Sequence, residues 1–501
     1  MQMGSLPKKI PTKPVVIFFS AKTNNLGIFI QITSMRLIVR IGLLLALPLL
    51  SFAQTPDEYP ADYLSPAFHA GRRAAFREKM PEKSVAVFFA APQKVRNNDV
   101  NYIYAQNKNF YYLTGLEEPN AVLLLFKQPV TILQKTGTEF IFVQSRNPQR
   151  EMWTGKILGA AGVQEKYQLN AVFSTEQFSG KLVDWSQLDT VISSFRNDQI
   201  LFKYPGRGDI LANMAASLDS ALMGAGKSAA PTIAMNILQA LRGIKQPEEI
   251  ALMEKVINMS VEGHNSVMRS MKPGMHEYDA QAIMEYEFKS RGSEYVGYPS
   301  INGSGANTCI LHYETNQRTL QDGDLLLSDC AAEYHGYSAD VTRTIPVNGK
   351  FSPEQKIIYE LVLAAQDAAF AECKPGKQFS DPHAAAVNVI AKGLKELGII
   401  SSENQVRNYF PHGTSHHLGL DVHDMGRRAT LEPGMIFTVE PGIYIPPGSP
   451  CDKKWWSIGV RIEDDLLITA DGYKNLSAGS PRSVEAIEKM ARQSSIFRKK
   501  K

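Results

Sequence analysis

Two ten-residue stretches of the chain share one pattern: Leu320-Gln321-Asp322-Gly323-Asp324-Leu325-Leu326-Leu327-Ser328-Asp329 and Leu431-Glu432-Pro433-Gly434-Met435-Ile436-Phe437-Thr438-Val439-Glu440. In each, a glycine is followed by an apolar run, typical of a β-strand, that ends on a carboxylate. The two stretches lie 111 residues apart, and the same offset relates His312 to His423. Such self-similarity indicates a duplicated unit. Two related αβ halves are therefore predicted to deliver carboxylates to a shared cleft.

Each half is also predicted to begin with two helices. The first long helix begins at Pro247-Glu248-Glu249 and is closed by Lys272-Pro273-Gly274. Its counterpart begins with a capping box that has proline at the first helical position, Ser352-Pro353-Glu354-Gln355. A similar motif, Lys374-Pro375-Gly376, closes it. Proline at the start and glycine after the end are strong helix boundary signals. Further helical segments follow at 277–290 and 381–397, so this region is predicted to be α+β.

Asp329 belongs to a predicted hairpin, residues 325–345, whose tip is Glu333-Tyr334-His335-Gly336. Asp329 and Asp340 lie symmetrically about that tip, and residues directly opposite in antiparallel strands point to the same face. We therefore expect their carboxylates to converge. Opposed like charges destabilise a sheet, which favours a cation between them. An ion pair between Asp340 and Arg343 is the alternative, but alternation along the strand places these side chains on opposite faces.

Two glutamates extend this acidic site. In the alternating strand 458–466, Arg461 and Glu463 lie on one face. They could form a simple ion pair, but the neighbouring carboxylates favour Glu463 as a metal ligand that Arg461 orients. Glu440 ends its strand just before Pro441-Gly442, which turns the chain away. Its carboxylate is therefore predicted to face a cleft.

Four of the ten histidines of the chain lie within twelve residues, at His412, His416, His417 and His423. An isolated histidine is usually structural, whereas this concentration indicates a functional site. The His-Glu-x-x-His motif of zinc peptidases is absent from it, because no glutamate follows His412. One histidine among four carboxylates is an oxygen-rich donor set, which favours Mn²⁺, with Co²⁺, Zn²⁺ or Fe²⁺ as substitutes.

Residues 240–480 resemble the pita-bread metallopeptidases, which include methionine aminopeptidases, prolidases and Xaa-Pro aminopeptidases. The matching motifs are two aspartates eleven residues apart, His-Gly-x-x-His, Val-Glu-Pro-Gly and Arg-Ile-Glu-Asp. The resemblance implies two metal ions, a bridging hydroxide that attacks the peptide carbonyl, and a proton shuttle at Glu440. It assigns the ligands to Asp329, Asp340, His416, Glu440 and Glu463. It also implies that His312, His412 and His423 position the substrate and stabilise the tetrahedral intermediate, next to Arg461.

The region before residue 236 alternates β-rich runs with helical stretches, so an α/β domain is predicted for residues 54–235. Its segment 106–121 is similar to the N-terminal domain of Xaa-Pro aminopeptidases. This resemblance implies release of the residue that precedes a proline, and a homodimer or homotetramer. The rivals are a prolidase, which cleaves only dipeptides, and a non-catalytic pita-bread binding module. The binding module is disfavoured because all five ligand positions are intact.

Residues 1–53 are predicted to be a leader and residues 483–501 a C-terminal tail, on either side of the catalytic domain at 236–482. Met35 to Arg40, the apolar run 41–50 and Ser51-Phe52-Ala53 form a secretory signal pattern, which predicts an exported, periplasmic or secreted protein. The apolar run is too short for a membrane anchor. The leader holds six basic and no acidic residues, so the net charge of +4 becomes −2 without it. The folded part therefore offers no argument for nucleic-acid binding.

Overall fold

The computed structural model describes residues 62–193 and 210–497. The predicted secretory signal lies outside these residues. The described residues from Tyr63 onward belong to one compact unit, and a continuous apolar core runs from Leu64 to Ile487, across the predicted border between the two domains. Among the described residues, no helix has the length and apolar character needed to cross a membrane.

The N-terminal region contains a five-stranded mixed sheet in the order β6-β5-β4-β1-β7, in which the β1–β7 and β5–β6 pairs are parallel. The β-rich runs predicted for this region are confirmed by strands such as Ser84–Phe89, Val122–Ile132 and Lys135–Val143. Alternate residues of β1 face two cores: Ala86 and Phe88 join the continuous core, and Val85 and Val87 join a smaller one. The elements are α1 (Pro66–Glu78), β1 (Ser84–Phe89), β2 (Val95–Asn97), β3 (Val100–Asn101), α2 (Lys108–Thr114), β4 (Val122–Ile132), β5 (Lys135–Val143), α3 (Pro148–Thr154), α4 (Gly159–Tyr167), β6 (Val172–Ser174), β7 (Thr190–Ser193) and α5 (Ile210–Gly224).

The C-terminal region contains the long helices and short strands that its boundary signals predict. The capping box is present, because the side chains of Ser352 and Gln355 each pair with the other's backbone. Its elements are α6 (Pro231–Gly243), α7 (Pro247–Ser270), α8 (Glu277–Ser290), β8 (Tyr295–Val296), β9 (Ile301–Ser304), β10 (Leu325–Asp329), β11 (Ala332–Tyr334), β12 (Tyr337–Ser338), β13 (Thr342–Pro346), α9 (Pro353–Glu372), α10 (Asp381–Glu396), β14 (Ile436–Val439), β15 (Gly442–Ile445), β16 (Ile458–Arg461), β17 (Asp464–Ile468), β18 (Tyr473–Asn475) and α11 (Val484–Met490). Ile487 of α11, within the predicted tail, is fully buried.

Matching hydrogen bonds support the predicted duplication. The backbone N–H of Gly274 donates to the carbonyl of Leu320 at 2.9 Å, and that of Gly376 donates to the carbonyl of Leu431 at 3.0 Å. Both glycines have positive φ, +88° and +86°, which side chains with a Cβ rarely adopt. The helix-to-strand connection of the first half is therefore repeated in the second half.

The hairpin predicted over residues 325–345 is present, but its predicted register is wrong. Asp329 lies opposite Thr342 rather than Asp340. The reason is the turn: His335 and Gly336 both have positive φ, as a two-residue hairpin turn requires, and Tyr334 pairs with Tyr337 across it. Asp340 is thereby displaced by two positions along its strand. A displacement of two preserves the face, so the aspartates become diagonal neighbours on one side of the sheet.

Candidate metal centre

Two buried aspartates meet at one tyrosine. Asp329 ends β10, and Asp340 lies two residues before the start of β13. The Tyr298 Oη lies 2.5 Å from Asp329 Oδ1 and 2.6 Å from Asp340 Oδ1. A phenol carries a single proton, so only one of these carboxylate oxygens accepts a hydrogen bond from it. Burial raises the pKa of Asp329, although Arg461 opposes the shift. The carboxylates therefore converge as predicted, through a diagonal rather than a direct pairing.

Glu463 joins the aspartates from the junction between β16 and β17. Its Oε2 accepts a hydrogen bond from Thr342 Oγ1 at 2.6 Å. Burial, together with the charges of nearby carboxylates, raises its pKa well above the ordinary value. Asp340, His416 and Glu463 each offer one ligand atom, and these atoms lie within 4.8 Å of one another. This spacing suits donors gathered around a common ion.

His416 faces two carboxylates through its Nε2, which lies 3.3 Å from Asp340 Oδ2 and 3.4 Å from Glu440 Oε1. Its Nδ1 is 3.1 Å from the carbonyl oxygen of His417, which can only accept, so Nδ1 carries a proton. In the neutral ring, Nε2 therefore presents its lone pair to the acidic site, as a metal ligand does. Without a metal, burial lowers the His416 pKa, but Asp340 and Glu440 outweigh it and raise the pKa to about 9.

Arg461 holds a different carboxylate from the one expected. Its Nη2 donates to Asp329 Oδ2 at 2.6 Å. In the part of the chain that the structure describes, Arg461 forms no side-chain hydrogen bond with Glu463. The reason is the backbone: β16 ends at Arg461 and β17 begins only at Asp464, so the alternation assumed for one continuous strand is interrupted. The predicted role of Arg461 in orienting Glu463 is thus wrong, and its guanidinium orients Asp329. The alternative ion pair between Asp340 and Arg343 is rejected on strand alternation, and in the structure Arg343 pairs with Asp464 instead, at 2.8 Å.

The other predicted histidines surround this centre. His412 Nε2 lies 2.8 Å from Tyr444 Oη, and its Nδ1 lies 3.6 Å from Glu440 Oε2. His423 is exposed, and its ring centroid is 4.2 Å from that of His416. His312 is exposed too, and it lies close enough to His412 and His423 to contribute to the lowered pKa of each. All three therefore border the acidic cleft.

His417 lies outside the centre. It is buried, stacks on Phe379 with ring centroids 4.7 Å apart, and its Nε2 is 3.2 Å from the carbonyl oxygen of Arg427. Alternation along the chain separates it from His416.

Three site residues escaped sequence reasoning: Tyr298, Thr342 and Tyr444. Thr342 could have been found, because it lies two residues after Asp340 and so shares its face. Besides Glu463, Thr342 contacts Arg461 Nε at 3.1 Å. Tyr444 accepts a hydrogen bond from Arg461 Nη1 at 3.0 Å, which connects Arg461 to His412. Tyr298 comes from a loop without any local motif, so no signal pointed to it.

The charge balance of the cleft calls for cations. Three buried carboxylates, those of Asp329, Asp340 and Glu463, and the half-buried carboxylate of Glu440 face the guanidinium of Arg461 and the imidazole of His416. Burying an unpaired carboxylate is costly, so such groups become protonated or bind a metal. The donor set therefore fits divalent metal ions.

Comparisons with known proteins agree with this geometry. Residues 251–470 match the model of metallopeptidase family M24, and residues 69–192 match the N-terminal domain of aminopeptidase P. The chain is 36% identical over 441 residues to Xaa-Pro aminopeptidase of Escherichia coli (strain K12), covering 84% of this chain and 97% of that protein. The chain belongs to metallopeptidase family M24. It is a hydrolase, and the predicted resemblance to Xaa-Pro aminopeptidases is confirmed.

Solved M24 structures confirm the predicted fold class, an α/β N-terminal domain followed by an α+β pita-bread domain. A substrate complex of a variant Escherichia coli aminopeptidase P superimposes with a TM-score of 0.77 at 34% identity, covering 86% of this chain and 98% of that one. A zinc-substituted form of the same enzyme, bound to product, gives the same TM-score, identity and coverage. Metal dependence is therefore a property of the family, and the choice of metal is a separate question.

Proposed function

We propose that this protein releases the N-terminal residue from peptides that carry proline in second position, using two divalent metal ions. The observation that carries the proposal is the convergence of five donors, Asp329, Asp340, His416, Glu440 and Glu463, in one cleft. Similarity to Xaa-Pro aminopeptidases over both domains supports the substrate class.

Mn²⁺ is the metal we propose, with Co²⁺, Zn²⁺ or Fe²⁺ as substitutes, because four of the five donors are carboxylates. When bound, the ions would lower the pKa of a shared water so that hydroxide attacks the peptide carbonyl. Asp329, Asp340, His416, Glu440 and Glu463 would together hold the two ions. Tyr298 and Thr342 would fix the orientation of the ligand carboxylates by hydrogen bonding.

Glu440 is the residue we propose as the proton shuttle. When no metal is bound, burial and nearby carboxylates raise its pKa to about 7, although His416 opposes the shift. A carboxyl that faces the cleft can both accept a proton from water and donate it to a leaving amine. His412 stands beside Glu440, and burial lowers its pKa to about 4, so its ring is neutral at pH 7. Neutral His412, with the exposed His312 and His423, would bind the substrate through hydrogen bonds.

Chain length of the substrate separates the proposal from its main rival. A prolidase must bind the free carboxylate of a dipeptide, whereas an aminopeptidase must leave that side of the cleft open. With Mn²⁺ present, we expect hydrolysis of Ala-Pro-Ala at least about tenfold faster than of Ala-Pro. Ala-Ala-Ala serves as the control for proline specificity. Cleavage confined to Ala-Pro would identify a prolidase, and equal cleavage of both tripeptides would contradict proline specificity.

Metal binding should release protons, because the ligands are partly protonated when no metal is present. His416 has a pKa of about 9 and Glu440 of about 7, while the pKa of Glu463 is well above its ordinary value. Metal competes with these protons, so we expect release of about two protons per protein at pH 7 and tighter Mn²⁺ binding as pH rises from 6 to 8. Calorimetric titration in buffers of different ionisation enthalpy measures this. Binding that is independent of pH would contradict the assigned ligands.

Export and assembly are further proposals that follow from the leader and from the family resemblance. We propose cleavage of the signal after Ala53, which would leave Gln54 as the first residue of an exported protein, and a homodimer or homotetramer. N-terminal sequencing and light scattering of the purified protein test these two points. Retention of the leader, or a monomer, would contradict them.

A further inference from the structure

The long helix of each half places one buried polar side chain against the strands that carry the candidate ligands. His264 lies on α7 and Gln366 on α9, and both are almost fully buried. They are 102 residues apart, the same offset as between Gly274 and Gly376, which close these two helices. His264 and Gln366 therefore occupy equivalent positions in the duplicated halves, although one is an imidazole and the other an amide.

Gln366 contacts the backbone beside both candidate glutamates. Its Nε2 lies 3.0 Å from the carbonyl oxygen of Val439 and 3.1 Å from that of Ile462, the residues that immediately precede Glu440 and Glu463. The amide orientation is fixed, because Oε1 accepts a hydrogen bond from Arg482 Nη1 at 2.7 Å. One amide group thus connects the two chain segments from which the glutamates project.

His264 contacts the backbone that connects both candidate aspartates. Its Nε2 lies 3.0 Å from the carbonyl oxygen of Cys330, the residue after Asp329. The backbone N–H of Cys330 donates in turn to the carbonyl oxygen of Val341, the residue after Asp340, at 3.3 Å. A carbonyl oxygen only accepts, so Nε2 carries a proton. Burial, assisted by Arg343, lowers the His264 pKa to about 3, so the ring is a neutral, permanent donor.

These contacts occur where regular strand pairing is interrupted. Asp329 ends β10, and Asp340 lies between β12 and β13. Glu440 lies between β14 and β15, and Glu463 lies between β16 and β17. Backbone carbonyls at such breaks lack a continuous ladder, and a buried carbonyl needs a hydrogen-bond partner. The helix side chains supply that partner.

We propose that His264 and Gln366 are equivalent positioning residues, each of which sets the separation of one pair of metal-binding carboxylates. His264 acts on Asp329 and Asp340, and Gln366 acts on Glu440 and Glu463, in both cases through the adjoining backbone. Neither residue touches the metal or the substrate. Their function is to keep each carboxylate pair at ligand spacing, since metal affinity depends on groups that hold the ligands in place.

The test compares Mn²⁺ affinity among matched variants of the full chain. Gln366→Met and His264→Leu retain apolar bulk and remove the donor, and we expect each to weaken Mn²⁺ binding by about 10- to 100-fold. His264→Gln installs the amide that the second half uses, and affinity should return to within about threefold of wild type. Calorimetric titration of metal-free protein measures the affinity, and circular dichroism in EDTA verifies folding.

The control removes a buried hydrogen bond from α7 without contacting the ligand-bearing segments. Ser266→Ala removes the 2.6 Å bond from Ser266 to Glu287. This variant should bind Mn²⁺ within about threefold of wild type. The inference rests on the proposed metal site. A wild-type protein that binds no Mn²⁺ would overturn both the metal site and the positioning roles.

If wild type binds Mn²⁺, equally tight binding by Gln366→Met or by His264→Leu would overturn the positioning role of that residue alone. The His264 and Gln366 variants are measured independently. If one variant does not fold, the Mn²⁺ affinity of the other variant tests the proposal.

Discussion

Replacing Glu463 by glutamine is expected to abolish metal-dependent activity while leaving the metal-free protein at least as stable as wild type. Activity should fall on the order of 10³-fold, because metal ions contribute several kcal/mol of transition-state stabilisation. Glutamine is close in shape to a protonated glutamate, and burial together with nearby carboxylates raises the pKa of Glu463, which favours the protonated carboxyl in the metal-free fold. The substitution therefore imitates the metal-free state and removes only the charge that a metal needs.

The pH dependence of stability follows from the same shift. The folded pKa of the Glu463 carboxyl lies above its ordinary value of 4.5, so the folded state binds the proton more tightly than the unfolded state. Its contribution to the free energy of unfolding therefore falls as pH rises and the proton is lost. Glu463 therefore destabilises the metal-free protein increasingly as pH rises above 4.5 toward its folded pKa. Glutamine removes this cost, so the metal-free Glu463→Gln protein should equal or exceed wild type in stability, with the larger advantage at higher pH.

Thermal unfolding in EDTA and in Mn²⁺ measures both effects. Wild type should gain about 2.7 kcal/mol at a metal concentration of 100 times Kd, and Glu463→Gln should gain much less. Glu249→Gln is the matched control, because Glu249 is also a buried glutamate with a raised pKa, but it accepts hydrogen bonds from Tyr337 Oη and from the Gln246 backbone N–H, away from the ligand cluster. Wild-type metal binding by Glu463→Gln would remove Glu463 from the ligand set.

Replacing Glu440 by glutamine should lower kcat by about 10²- to 10⁴-fold, the range typical of losing a general acid–base group. An amide neither accepts nor releases the proton, although its oxygen can still approach a metal. With saturating Mn²⁺, KM for Ala-Pro-Ala should change by only a few fold, because the substrate contacts assigned to His312, His412 and His423 are retained.

Steady-state kinetics between pH 6 and 9 distinguishes this variant from Glu463→Gln. Glu440→Gln should recover part of its metal binding at high Mn²⁺ without recovering kcat, whereas loss of a ligand alone would be offset by added metal. Glu432→Gln, an exposed glutamate on the approach to the same strand, controls for the substitution itself. A kcat within tenfold of wild type would contradict the proton-shuttle role.

Local signals in the sequence predicted the helices well, because their boundaries depend on nearby residues. Pro247 and the capping box of Ser352 and Gln355 begin helices at the expected positions. Hairpin register was predicted less well. The centre of the hairpin turn was predicted one residue too early, because the positive φ angles of His335 and Gly336 determine where the turn lies. Asp329 therefore pairs with Thr342, two positions beyond the predicted partner.

The sequence by itself determined the duplicated architecture and the family, and it predicted the candidate donors, because repeats, caps and ligand motifs consist of nearby residues at fixed spacing. Only the tertiary structure decided which partner each donor has. Arg461 reaches Asp329 across 132 positions, and Tyr298 reaches both aspartates from a loop. His264 and Gln366 are separated from the strands they hold by entire elements. Such contacts depend on how helices and strand breaks pack in space, and no spacing along the chain records that geometry.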